Sequence, residues 1–310
     1  MTKIAVIGSL NADLSVLTPR VPNVGENFLA HGFNIGPGGK GANAAVAAAR
    51  SGGETVLIGC VGDDDFGRML LGHLRRAGVD VEVVGVDPQA ATAVAFIMID
   101  AQGENTILVV NGANDRLSAE MVERALESHQ GTLGSILVDF EVPEAAVAAG
   151  VRWGRDHGIP TIVDAGPPRP YAQATWQDCT ILSPNELETA TMVGYPIDDD
   201  AAAVQAARQL LAAGPQAVVL KRGARGALLL TADQELLVPA FPVTVVDTTG
   251  AGDAFSGMLA VAVAEGLPLD ESIWRASAAG ALNVTRLGAM PAMPTRQEVD
   301  AFLAERRLRD

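Results

Sequence analysis

Short apolar runs alternate with longer, Ala-rich helical segments along most of the chain. The runs at 3–8, 55–61, 135–139, 160–164, 179–183 and 216–221 read as strands, and 40–52, 65–77, 118–129, 143–157 and 198–212 read as the helices between them. Strands interleaved with covering helices predict an α/β protein built on a mostly parallel central sheet. Two pairs of runs break this rhythm. Residues 14–17 and 28–35, with Pro19, Pro22 and Gly25 between them, predict a hairpin, and 92–99 with 106–110, joined by a Gly-containing loop, predict a second. Together they predict a small extra sheet, with segments at about 11–37 and 90–111, inserted in a single domain over 1–310. Val94, Phe96 and Met98 alternate with Ala95, Ile97 and Ile99, so both faces of that strand are apolar and both need cover. Further strand-like runs at 227–231, 235–239 and 242–246 precede a helical region from 251. Pro268 fits the first turn of a helix running to about 285, and Thr295 with Glu298 predicts a capping box on the last one.

Composition narrows the class. Hydrophobic residues make up 48% of the 310 and charged residues 19%, which predicts a folded chain, and no apolar run is long enough to span a bilayer. Met1-Thr2-Lys3 leads straight into Ile4-Ala5-Val6-Ile7, which leaves no room for a signal peptide and makes the cytoplasm the expected compartment. A net charge of -15 disfavours nucleic acid and anionic lipid as partners. Cys60 and Cys179 sit among apolar residues and read as inert core thiols.

Three motifs carry candidate chemistry. In Asp247-Thr248-Thr249-Gly250-Ala251-Gly252-Asp253, a Gly-rich turn opens a helix, so successive N–H groups can converge on a phosphate at the helix N-terminus. Asp253 falls in the first turn, beside that anion position, where a carboxylate can accept a substrate proton. The second motif, Gly36-Pro37-Gly38-Gly39-Lys40-Gly41-Ala42-Asn43, is not a Walker A loop, because Gly41 follows Lys40 and Phe33 stands where the first glycine would be. Its backbone with Lys40 and Asn43 suits a neutral polyol. In the third, Asn11 and Asp13 alternate along an extended backbone after the first strand, and a carboxylate with an amide suits vicinal hydroxyls. Gly8 has no GxGxxG context, which disfavours a nicotinamide dehydrogenase.

Asn11-Ala12-Asp13, Gly38-Gly39-Lys40-Gly41-Ala42-Asn43 and Gly250-Ala251-Gly252-Asp253, in that order and spacing, resemble the ribokinase (PfkB) family of carbohydrate kinases over essentially the whole chain. The resemblance implies a ribokinase-like α/β fold in which the inserted sheet is a lid; the two apolar faces of its 94–99 strand predict that one covers substrate and the other pairs with a second chain in a homodimer. It implies ATP with Mg2+ as phosphoryl donor and K+ as an activating ion. Carried over residue by residue, it makes Asn11, Asp13, Gly39, Lys40, Asn43 and Glu141 sugar contacts, Asp253 the base, and Gly250, Ala251 and Gly252 the anion hole. Asn185 and Glu188 match an NxxE motif that positions phosphate and magnesium, Glu188 through water; read locally, they are a helix start with a capping Asn. Lys221, Gly223, Arg225 and Gly226 match a segment near ATP, to which Gly252 and Ser277 add. A monovalent-cation site is implied at Asp247, Thr249, Asn283, Arg286, Gly288 and Ala292, with Ala292 standing where family members often have Ser.

The implied reaction transfers the γ-phosphoryl group of ATP to a primary sugar hydroxyl, D-ribose to D-ribose 5-phosphate being the leading case. Fructose, 2-keto-3-deoxygluconate or a nucleoside are alternative acceptors. A non-catalytic sugar- or nucleotide-binding regulator is a further alternative, disfavoured because Asp253 and Gly252 are both kept. Where many family members read Asn-Pro-Ala-Pro, this chain has Asp164-Ala165-Gly166-Pro167, which adds a carboxylate near the expected active-site rim and leaves the choice of sugar open; read locally, Asp164 is a strand-end residue that bonds the following loop.

Overall fold

The structure, a computed structural model, describes residues 3–307, so the outermost residues of the expected 1–310 domain lie outside it. Among the described residues, nine strands form one sheet in the order Glu235–Val238, Ala227–Thr231, Ala217–Lys221, Ile181–Ser183, Thr161–Asp164, Leu133–Asp139, Lys3–Ile7, Glu54–Ile58 and Val79–Asp80. Pairing is parallel from Ala217–Lys221 to Val79–Asp80 and antiparallel for the first two strands. Successive side chains of a strand point to opposite faces. Ile4 and Val6 therefore enter one core, with Val46, Met258 and Ile273, while Ala5 and Ile7 enter the other, with Val122, Val147 and Ala206. Both faces are buried, which is why the strands read as unbroken apolar runs.

On the first face, the Lys40–Arg50 and Ala251–Ala264 helices pack unusually close. A Cβ placed on Gly257 would stand 2.6 Å from both the Ala44 carbonyl oxygen and the Ala47 Cβ, so only glycine permits this approach. It sets the spacing of the two helix starts, which carry Lys40 and Asp253.

The inserted segments form a four-stranded sheet in the order Gly32–Gly38, Asn11–Leu17, Ala93–Ile99, Asn105–Val110. Each expected hairpin pairs antiparallel, and the two join through a parallel pairing of Asn11–Leu17 with Ala93–Ile99. By register, Phe33, Ile35, Phe96, Leu108 and Val110 share the face opposite Asp13, and all five are exposed.

Three expectations need correction. Residues 242–246 are not a strand: Val246 N and Asp247 N both donate to the Val284 carbonyl at a helix end, and Val243 and Val245 face a cavity. Residues 28–31 lie outside the hairpin strand, which starts at Gly32. The 55–61 run breaks at Gly59, where a Cβ would stand 2.3 Å from the Leu10 side chain; Cys60–Gly62 leaves the main sheet to pair with Gly85–Asp87. The capping box of Thr295 and Glu298 is present. Among the described residues, no helix is long and apolar enough to cross a membrane.

Candidate active site

The parallel strands end together at one edge of the sheet, and Ser9, Glu141, Asp164, Asn185 and Lys221 lie at or just after those ends. Open α/β sheets place ligands there, where the strand order reverses between Lys3–Ile7 and Leu133–Asp139. Three helices start at the same edge, Lys40–Arg50, Glu186–Val193 and Ala251–Ala264, and their N-termini favour anions. Gly39 and Gly250 precede the first and third at φ 94° and φ 78°, values that favour glycine. The second is closed by a capping box: Asn185 Oδ1 accepts from Glu188 N, and Glu188 Oε2 accepts from Asn185 N. Glu188 Oε1 is left facing Gly166, as does Lys40 Nζ.

Asp253 is buried, with Lys40 Nζ 3.4 Å from its Oδ1 and Asn43 Nδ2 donating to its Oδ2 at 2.8 Å. Burial raises its pKa above the usual carboxylate range; Lys40 opposes that and Asp164 adds to it. Burial works against the Lys40 charge, but Asp164, Asp253, Glu188 and Glu141 outweigh it and hold the ammonium well above its ordinary pKa. Glu141 Oε2 accepts from Ser9 Oγ at 2.6 Å and from Lys40 N at 3.2 Å. Asp13 packs on Gly38, and burial pushes its pKa up to about 7, aided by the charges of Glu141 and Asp253. Its contribution to stability is therefore full below about pH 4 and lost as pH rises through about 7.

Two supporting residues escaped the sequence reading. Asn114 Oδ1 accepts from Leu10 N at 3.0 Å, which fixes the amide, so Asn114 Nδ2 donates to Asn11 Oδ1 at 2.8 Å and leaves Asn11 Nδ2 as a free donor. Only Gly112, before it in a 3-10 turn at φ 49°, marked that segment in the sequence. Asp139, fully buried, accepts from Ser9 N and Glu141 N and holds both loops; burial, then Glu141, drives its pKa well above the ordinary value. Asp164 departs from expectation. Rather than bonding its own loop, it accepts from Ser256 Oγ at 2.7 Å and lies 3.0 Å from Lys221 Nζ, because the strand end points it at the neighbouring helix and strand.

Beyond Asp253 opens a cavity of about 770 Å³. Asn185, Lys221, Gly223, Gly226, Gly252 and Ser277 line it, and Phe241, Pro242, Val243 and Val245 give it an apolar wall. Lys40 and Asp253 stand where it meets the cluster around Asp13 and Glu141. Arg225 does not join the lining: its guanidinium turns to Glu186 and to the carbonyls of Ile197 and Asp198. Ser277 Oγ, Asn43 Oδ1 and Asn283 Oδ1 are buried without a hydrogen-bond partner, as atoms that meet a ligand or ion would be.

Asp247 ties the 247–253 turn to the loop after Asn283. Its Oδ1 accepts from Thr249 N and Oγ1, and its Oδ2 from Gly288 N. Burial works against its charge, yet these hydrogen bonds outweigh burial and keep its pKa below the ordinary value. Asn283 Nδ2 donates to Ala289 O, and Ala292 N bonds the same carbonyl. The Arg286 side chain pairs with Glu298 at 2.5 Å, so only its main chain is open to an ion. Among the described residues, no group of three or more His, Cys, Asp or Glu side chains forms a metal cluster.

The family model described as pfkB family carbohydrate kinase matches residues 1–296. A ribokinase of Bacillus subtilis (strain 168) is 38% identical over 304 residues, covering 98% of this chain and 100% of the relative. A deoxyribokinase of Salmonella typhi is 35% identical, covering 97% of this chain and 98% of its own. Among solved structures, Arabidopsis thaliana ribokinase complexed with ribose and ATP superposes with a TM-score of 0.90 at 31% identity, covering 97% and 98% of the two chains. A ribokinase II from E. coli in complex with ATP and Mg2+ gives a TM-score of 0.80 at 25% identity, covering 98% and 100%. With its motifs gathered at one sheet edge and its length matched almost throughout, the chain belongs to the pfkB family of carbohydrate kinases.

Proposed function

We propose that this protein is an ATP-dependent sugar kinase that moves the γ-phosphoryl group of ATP to the primary hydroxyl of D-ribose, giving D-ribose 5-phosphate. The observation that carries this reading is the position of Asp253, a buried carboxylate in the first turn of a helix, where a polar cluster meets the large cavity. Ribokinases among the relatives support ribose as the acceptor. Asn11 Nδ2 donates to sugar hydroxyls while Asp13 and Glu141 accept from them, with Gly39, Lys40 and Asn43 completing the site. Asp253 takes the hydroxyl proton; its raised pKa makes it a stronger base than a free carboxylate. The sugar oxygen bonds to the γ-phosphorus as the bond to the β-phosphate oxygen breaks, and that electron pair leaves on ADP. N–H groups of Gly250, Ala251 and Gly252 meet the developing charge.

Magnesium fits this donor set. With no carboxylate cluster of its own, such an ion draws most of its ligands from phosphate and water, and Glu188 Oε1 is the side-chain oxygen free to hold one of those waters. It would supply charge neutralisation at the β- and γ-oxygens. The segments at about 11–37 and 90–111 act as a lid on the one catalytic domain, excluding water when closed. Potassium fits beside Asp247, Thr249, Gly288 and the unpartnered Asn283 Oδ1, with the main chain of Arg286 and Ala292 adding carbonyls. The exposed apolar lid face is covered by that of a second chain.

An ATP-consumption screen over ribose, 2-deoxyribose, fructose, 2-keto-3-deoxygluconate and adenosine should give ribose the highest kcat/KM; preference for another acceptor overturns the ribose assignment. Asp253→Asn should fold and bind ADP but lose about 10²–10⁴ in turnover, and retention of more than about a tenth refutes the base. Because hydroxyls donate best to an ionised Asp13, ribose affinity should be flat above about pH 7 and fall up to about tenfold per unit below it. Calorimetry should show proton release in that lower range, absent in Asp13→Asn. Replacing potassium by a large organic cation at matched ionic strength should cut kcat; equal rates contradict the ion site. Sedimentation at micromolar concentration should give twice the chain mass, and a fully active monomer rules out the lid-to-lid dimer.

A further inference from the structure

Asp164, Lys221 and Ser256 form a buried charged unit that the reaction above leaves unused. Lys221 and Asp164 side chains are 12% and 5% exposed, and Ser256 follows Asp253 by one turn on the same helix. Lys221 Nζ is 3.0 Å from Asp164 Oδ1, a close ion pair that uses one of the three ammonium N–H groups and leaves the others for the cavity side. Ser256 Oγ holds the other oxygen and so anchors the carboxylate to the helix that carries Asp253. Burial opposes the Asp164 charge, but Lys221, Lys40 and the Ser256 hydroxyl outweigh it and bring its pKa down to about 2. On its open side, Lys221 lines the cavity, with Nζ 3.9 Å from where a Cβ on Gly252 would stand. That places the ammonium within reach of an oxygen lodged on the Gly250, Ala251 and Gly252 N–H groups. Lys40 and Lys221 both line the cavity beside Asp253 and Gly252, Lys40 paired with Asp253 and Lys221 with Asp164.

We propose that the Lys221 ammonium contacts the phosphoryl group in transit and that Asp164 is its positioning residue, holding it beside Gly252 before nucleotide arrives. The inference rests on the kinase reading and adds a role for the Lys221 side chain. The proton still passes from sugar hydroxyl to Asp253 and the electron pair to the ADP oxygen. Without Asp164, Glu188, which already feels the Lys221 charge, remains to attract it. The ammonium would then leave the transfer line.

The test compares Lys221→Met, Asp164→Asn and the double variant, whose neutral pair avoids a lone buried charge and so keeps the fold. Lys221→Met should lose about 10²–10³ in kcat, as loss of one transition-state donor does, with ribose KM changed by less than about threefold. Asp164→Asn should lose about tenfold or more in kcat with ADP affinity nearly kept. The double variant should be no slower than Lys221→Met, since Asp164 acts through Lys221. Lys221→Arg should recover part of the rate only when Asp164 is present. Losses that multiply in the double variant, or a folded double variant within twofold of the parent, overturn the proposal. Asp253→Asn run alongside separates the readings: if it stays fast the kinase mechanism fails, whereas slow Asp253→Asn with fast Lys221 variants sinks only this inference.

Discussion

Two ammonium groups held among buried carboxylates at the head of the Ala251–Ala264 helix govern the rest of the site. Lys40 faces Asp253, Asp164 and Glu188, while Lys221 faces Asp164, and none of these groups is well solvated. A buried charge that loses its partner costs several kcal/mol, so each member is kept ionised or neutral by the others. The array is therefore sensitive to any incoming charge. A polyanionic nucleotide supplies the negative charge that the lysines can turn to, and a polyol supplies donors for the carboxylates.

Backbone geometry makes that array possible. Gly257 lets two helices touch, Gly38 makes room for Asp13, and a Cβ on Gly8 would stand 2.0 Å from Asp139 Oδ2. The charged groups thus ride on elements packed too closely to shift independently, which suits catalysis that relies on preset electrostatics. The price falls on stability: Asp13, Asp139 and Asp253 all sit above the usual carboxylate range because burial penalises their ionised form.

Much of this was legible in the chain. The unbroken apolar runs mark a sheet buried on both faces, and the glycines at 38–41 and 250–252 mark backbone that must turn sharply or be approached closely. Less legible were partnerships between distant residues. Nothing near Asp164 announces Lys221, 57 positions on, and nothing near Asn11 announces Asn114, because strand order rather than spacing brings them together. Residues 242–246 misled through composition: their apolar side chains serve a cavity wall, and their backbone bonds a helix end instead of a neighbouring strand.

Asn114 also sits at a mechanical boundary. It follows the last strand of the inserted sheet, Asn105–Val110, bonds Asn11 at the start of the first, Asn11–Leu17, and is itself held by Leu10 N beside the central sheet. One end of each inserted segment is thus tied at that point. The Asn11 amide is thereby tied to the rim of the central sheet rather than to the outer strands of the insertion.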